Sequence, residues 1–248
     1  MGGDAAPLAR SRRPMTWKDS LTAALVTAKI TVPTALDSVF RPEGIAERAD
    51  ERLRWWAGEI LRQADVTLHV RGEVPVPDDV PLVVMSNHRS YFDIPASFCA
   101  IPGRMRMVAK KELFRVPLFG RAMRATGFIE VDRGKREKAV TSLNDSKALL
   151  TGGARVWIAP EGTRTKTGKL GPFKSGGFHL ALDAGVPILP LAITGTELAM
   201  GPESFAVTPG ATITVNILPL IDAPSYGKER RKELMAAVRA SMLSVLGE

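Results

Sequence analysis

His88 and Asp93 stand five residues apart in LVVMSNHRSYFDIPASF, where an apolar run gives way to a polar cluster and then to a helical pattern. A carboxylate at the start of that helix can reach back to one imidazole nitrogen, fix the tautomer, and leave the other nitrogen free as a general base. Ser90 and Asp93 also have the spacing of a capping box, so Asp93 has a structural reading beside the catalytic one. The pair has no protein nucleophile beside it. There is no G-x-S-x-G elbow, and the single cysteine, Cys99, falls inside the helix that follows. A base without a nucleophile points to activation of a hydroxyl belonging to the substrate.

A second cluster lies about seventy residues on, in VWIAPEGTRTKTGKLGPFKSGGF. Gly162 permits close backbone approach, Arg164 offers a planar fork to an anion, and a helix starting near Ser175 adds its dipole. The stretch from Gly162 to Lys169 is not a nucleotide-binding loop: five residues separate Gly162 from Gly168, and Leu170 stands where Ser or Thr is required. Between the two clusters, Arg104, Arg106, Lys110, Lys111, Arg115, Arg121 and Arg124 face Glu112 alone, interleaved with Leu113, Phe114, Val116, Leu118 and Phe119. Such mixing suits contact with anionic lipid. The segment GFIEVDR then delivers Arg133 from a third strand end, with a loop ion pair as the alternative reading. His69 and His179 read as structural, as do Trp55, Trp56 and Trp157.

The elements that must position these residues follow from hydrophobic periodicity. VTLHV, LVVMS, MRMVA, GFIEV, ARVWIA, PILPLAI and ATITVNIL are strands, with helical patterns between most of them. Near-continuous apolar strands imply burial on both faces, hence an α/β fold with a mostly parallel central sheet flanked by helices. The segment from Lys228 to Leu246 is a closing helix. Ahead of the sheet, Thr16 to Leu36 and Gly44 to Ala64 form an amphipathic two-helix motif. Its apolar rows are Trp17, Leu21, Leu25, Ala28 and Val32, then Ile45, Ala49, Leu53, Trp56, Ile60 and Ala64. It is either a hairpin packed on the main domain or an interfacial anchor favoured by its Trp residues and by Arg10, Arg12, Arg13 and Lys18. Lys29 and Pro33 interrupt the longest apolar stretch, Ser20 to Leu36, and argue against a spanning helix. The start MGGDAAPLARSRR is not a secretory signal.

Composition narrows the function. The 248 residues carry a net charge of +8, 45% are hydrophobic, and Gly and Pro number 22 and 18, so the chain has a core and an anionic partner. One Cys and three His exclude a disulfide framework and a conventional Cys/His zinc site. Aromatic residues make up only 6%, which disfavours stacking on nucleic acid bases.

Taken together, these segments resemble the lysophosphatidic acid acyltransferase family of glycerolipid acyltransferases, in four ordered blocks between Asn87 and Ile193. NHRSYFD resembles the block whose His and Asp are the catalytic dyad, implying those roles for His88 and Asp93. GFIEVDR resembles the block that supplies the acceptor-phosphate arginine, here Arg133. APEGTR resembles the third, implying acceptor binding by Glu161, Gly162, Thr163 and Arg164, although Ala159 stands where Phe is usual. AGVPILPLAI resembles the fourth, in which Pro187 and Pro190 shape an acyl pocket. The family lysine corresponds to Lys110, with Lys111 an equal neighbour.

The resemblance implies a membrane-docking segment over residues 1–64 and an acyltransferase domain over residues 65–248. It further implies transfer of an acyl chain from acyl-CoA or acyl-carrier protein to the sn-2 hydroxyl of lysophosphatidic acid. The expectation is a peripheral or monotopic protein on the cytoplasmic face of an anionic membrane, with no metal, no redox cofactor and no nucleic acid partner. Acylation of glycerol-3-phosphate, another lysophospholipid or an amino-lipid is the enzymatic alternative, and a non-catalytic anionic-lipid-binding protein is the other.

Overall fold

A computed structural model of the chain describes residues 17–132 and 147–247. Its centre is a seven-stranded sheet of β1 (Thr67–Arg71), β2 (Val83–Ser86), β3 (Met105–Lys110), β4 (Ile129–Val131), β5 (Arg155–Ile158), β6 (Ile188–Thr194) and β7 (Thr212–Ile217). The spatial order is β1-β7-β6-β2-β5-β3-β4. Every pair is parallel except β6 with β7, so the mostly parallel sheet expected from the apolar strands is what forms. β7 returns antiparallel to β6 after residues 195–211, whose only helix is the four residues Thr196–Ala199.

Alternation within the strands sends side chains to two cores. Leu82 and Val84 pack on one side of the sheet, with Trp157, Leu189, Leu191 and the helices α2 (Ile45–Gln63) and α3 (Asp93–Ala100). Val83 and Met85 pack on the other, with Phe178, Leu234, Val238 and Met242, from α7 (Gly176–Ala184) and α9 (Arg231–Leu246). Between these lie α4 (Lys111–Phe114), α5 (Phe119–Ala125), the helical residues 147–151 (α6) and α8 (Thr196–Ala199).

The N-terminal pair is α1 (Trp17–Phe40) followed by α2. α2 buries Ala49, Leu53, Ala57 and Ile60 as its periodicity predicts. α1 differs from expectation in two ways. It runs through Pro33 to Phe40, and the part Leu21–Phe40 is long and apolar enough to cross a bilayer, so Lys29 and Pro33 do not by themselves exclude a span. Its predicted apolar row also points outward: Leu21, Leu25 and Val32 are exposed. The face turned toward α2 is partly polar. Trp56 Nε1 donates to Thr27 Oγ1 at 3.1 Å, and Arg52 and Arg48 both reach Asp37 Oδ2, at 2.7 and 3.0 Å. Polar groups that pair inward leave the apolar ones for the outside. Arg10, Arg12 and Arg13 lie outside the described residues.

α2 is tied to the sheet by a buried ion pair. Arg106 on β3 donates Nη1–H to Asp50 Oδ1, and both residues are buried.

Candidate functional site

The described residues among those singled out from sequence for chemistry sit at the carboxyl ends of β2, β3 and β5, the edge at which open α/β sheets bind ligands. β2 ends at Ser86. Asn87 then extends its ladder by side chain: Nδ2–H donates to the Ile193 carbonyl at 2.8 Å, and Oδ1 accepts the Ile193 N–H at 2.7 Å. This clasp to β6 ends the strand in a fixed geometry and turns His88 out of the sheet.

Asp93 is fully buried and is the first residue of α3. Its Oδ2 lies 2.8 Å from His88 Nδ1 and accepts the backbone N–H groups of Arg89 and Ser90, each at 2.8 Å. One carboxylate thus holds the imidazole and the two backbone amides of the turn, while Ser90 Oγ donates to the Met200 carbonyl at 2.7 Å and Phe92, not Ser90, is the N-cap of α3. An ionised carboxylate only accepts, so Nδ1 carries the proton and Nε2 is the nitrogen open to a substrate. Trp157 meets the imidazole edge-on, with ring centroids 5.8 Å apart, and its Nε1–H donates to Ser86 Oγ at 3.1 Å. Trp157 is buried, as read from sequence.

The other oxygen of Asp93 is held from outside the four blocks. Thr196 Oγ1 donates to Asp93 Oδ1 at 2.6 Å and is fully buried. Gly195 makes this approach possible at φ 86°, because a Cβ there would come within 2.1 Å of the Thr212 carbonyl oxygen. Thr196→Val removes the donor and keeps the shape. It is expected to lower kcat about tenfold with KM little changed, and Thr196→Ser to restore it. An unchanged kcat in the Val variant would rule out a positioning role.

Glu161 behaves differently from the expectation of acceptor binding. Its Oε1 accepts the His88 N–H at 2.8 Å and its Oε2 accepts the Gly171 N–H at 2.7 Å, which ties the second cluster to the first. Burial pushes its carboxyl above the ordinary value of 4.5, against the two amides that pull it down. The backbone N–H groups of His88, Arg89 and Ser90 are all accepted by carboxylates, so these amides near the dyad are not free to stabilise an oxyanion.

A cavity of about 720 Å³ opens over His88. Lys110, Gly162, Thr163 and Arg164 line it, and Asp93 and Glu161 are not among the lining residues. The neighbouring lysines differ in place: Lys110 lines the cavity, whereas Lys111 Nζ pairs with Asp132 Oδ2 at 2.5 Å. Gly162 takes φ 73° and lets the Lys174 side chain lie across it, where a Cβ would come within 2.9 Å. Arg164 stacks its guanidinium carbon 3.8 Å above the Tyr91 ring. Its Nη1 is buried and without a hydrogen-bond partner among the described residues.

Lys174 and Tyr91 are lining residues that sequence reading passed over. His179 was read as structural; it reaches the cavity because α7 packs with that face toward the β5 loop. Pro187 and Pro190 are not in the wall. Apolar residues of the wall include Ile94, Met107, Leu113, Val131, Trp157 and Ile158. Arg133 lies outside the described residues. Among the described residues the wall holds three cations, Lys110, Arg164 and Lys174, and no carboxylate. No group of three or more His, Cys, Asp or Glu among them is placed to hold a metal.

Comparison with known proteins places this arrangement. The acyltransferase family profile matches residues 67–194. A human 1-acyl-sn-glycerol-3-phosphate acyltransferase alpha is 35% identical over 184 residues, covering 74% of this chain and 65% of the relative. The 1-acyl-sn-glycerol-3-phosphate acyltransferase of Salmonella typhimurium is 32% identical over 170 residues, covering 67% of each chain. The chain thus spans just under two thirds of its mammalian relatives. The crystal structure of the 1-acyl-sn-glycerophosphate acyltransferase of Thermotoga maritima superposes with a TM-score of 0.77 at 23% identity, covering 93% of this chain and 94% of that one, and shares the fold.

Proposed function

The chain belongs to the acyltransferase family, and on that premise we propose that it moves a fatty acyl chain from a thioester, acyl-CoA or acyl-carrier protein, to the sn-2 hydroxyl of lysophosphatidic acid, forming phosphatidic acid. One observation carries this reading: the cavity over His88 combines three cations, no carboxylate among the described wall residues, and apolar walls. Such a site suits a molecule with an anionic head and a hydrocarbon tail. The dyad at its floor suits a hydroxyl that must lose a proton.

His88 Nε2 takes the proton as the hydroxyl oxygen attacks the thioester carbonyl carbon, and Asp93 stabilises the imidazolium. The tetrahedral intermediate then collapses, the C–S bond breaks, and the departing thiolate recovers the proton from His88. Products are an ester and a free thiol, and no step requires a metal or redox cofactor. Arg164, with its buried and unpartnered Nη1, binds the acceptor phosphate, assisted by Lys110 and Lys174. The reaction takes place at the cytoplasmic face of an anionic membrane, on which the exposed apolar row of α1 rests.

Arg164→Gln is expected to raise KM for lysophosphatidic acid about tenfold or more, the scale of a lost charge-assisted hydrogen bond, with a smaller change in kcat. A neutral monoacylglycerol acceptor should be unaffected. Equal KM for lysophosphatidic acid in the variant and the parent would remove Arg164 from the phosphate site.

A further inference from the structure

The loop between α4 and α5 spends strained backbone on keeping apolar side chains in solvent. Leu118 adopts φ 59°, a region that L residues with bulky side chains avoid. The conformation is locked from both sides: Gly120 N–H donates to the Val116 carbonyl and Ala122 N–H to the Leu118 carbonyl, each at 2.8 Å. Gly120 lies so close to Phe114 that a Cβ would fall 2.0 Å from its carbonyl oxygen. The result is Val116 at 47% and Leu118 at 52% exposure, flanking Pro117.

This loop is fastened beside the end of α1. Arg121 Nε–H, in the first turn of α5, donates to Ser38 Oγ at 2.9 Å. The last turns of α1 there expose Leu36 and Val39 at 48% each and Phe40 at 75%. The two sets of apolar side chains come from distant parts of the sequence and meet at one end of the molecule. Basic residues surround them: Arg41, Arg115 and Arg121 are exposed, and residues 104–124 carry seven basic side chains against Glu112 alone.

We propose that the Val116–Leu118 loop is a membrane wedge that inserts, together with the end of α1, into an anionic bilayer. An apolar tip ringed by arginines matches a hydrocarbon layer under anionic headgroups, both in polarity and in charge. Its position also links docking to the cavity. Leu113, three residues before Val116, is part of the cavity wall.

The test is partition of the full chain onto vesicles of phosphatidylcholine mixed with phosphatidylglycerol, and onto phosphatidylcholine alone. Replacing Val116 by Ser and Leu118 by Asn together should lower partition onto the mixed vesicles about tenfold, as expected for withdrawing two half-exposed aliphatic side chains from hydrocarbon. Turnover of a monomeric short-chain acceptor should be unchanged, while turnover of vesicle-borne acceptor falls. Leu118→Gly alone removes the side chain and relieves the φ strain, so it should raise the unfolding temperature and still weaken partition. Undiminished partition in both variants would overturn the proposal. So would self-association of the parent without vesicles that the same substitutions abolish, since the patch would then serve a second copy of the chain. Partition is measured without substrate, so its outcome is independent of the reaction proposed above.

Discussion

Replacing His88 by alanine is expected to lower acyl transfer about 10³-fold, within the range of about 10² to 10⁴ found for removal of a general base. Every group around the imidazole is committed to holding it. Asp93 fixes Nδ1, Glu161 holds the His88 backbone N–H, Asn87 anchors the preceding residue to β6, and Trp157 packs on the ring edge. Removing the ring leaves that scaffold in place, because each of those partners has other bonds. Thermal unfolding and vesicle partition of the variant should therefore stay close to the parent, which separates loss of chemistry from loss of fold. Retained acyl transfer in a folded His88→Ala protein would remove the dyad from the mechanism.

The largest expected effect on stability is at the ion pair between β3 and α2. Asp50→Ala leaves Arg106 buried beside an empty position, with its guanidinium still bonded to the Met105 carbonyl at 2.8 Å but without its counter-charge. Breaking a buried pair from one side costs about 3 to 5 kcal/mol. For a chain of this size that lowers the unfolding temperature by roughly 6 to 20 °C. Replacing both partners, Asp50 by Leu and Arg106 by Met, should recover most of the loss, because neither charge is then stranded. Calorimetry on the three variants checks this. A shift in the single variant under about 2 °C would mean that α2 is dispensable to the fold, contrary to its place in the core with Trp157 and Leu189.

What sequence made legible here was local. The His88 and Asp93 spacing worked because both residues belong to one strand-to-helix turn, where five positions set the distance directly. Gly162 and Arg164 were legible for the same reason. The partners that hold the dyad were not, since Thr196 and the Ile193 backbone reach it only through the placement of β6 beside β2. For Glu161 the family resemblance implied acceptor binding; its two oxygens accept backbone amides, a direction that chain order does not encode. His179 and Lys174 became wall residues through the docking of α7, not through any local pattern.

The outward face of α1 illustrates the opposite case. Its apolar row was correctly recognised as a row, but periodicity cannot say whether a stripe faces protein or lipid. The polar contacts of Thr27, Thr34 and Asp37 with α2 turn the row away from α2 and into solvent.

The most direct test is acyl transfer from labelled acyl-CoA, and in parallel from acyl-carrier protein, to lysophosphatidic acid, with glycerol-3-phosphate, lysophosphatidylcholine and no acceptor alongside. The account predicts labelled phosphatidic acid from the intact protein and none above background from His88→Ala. Absence of transfer to every acceptor, or equal transfer by the two proteins, would contradict it.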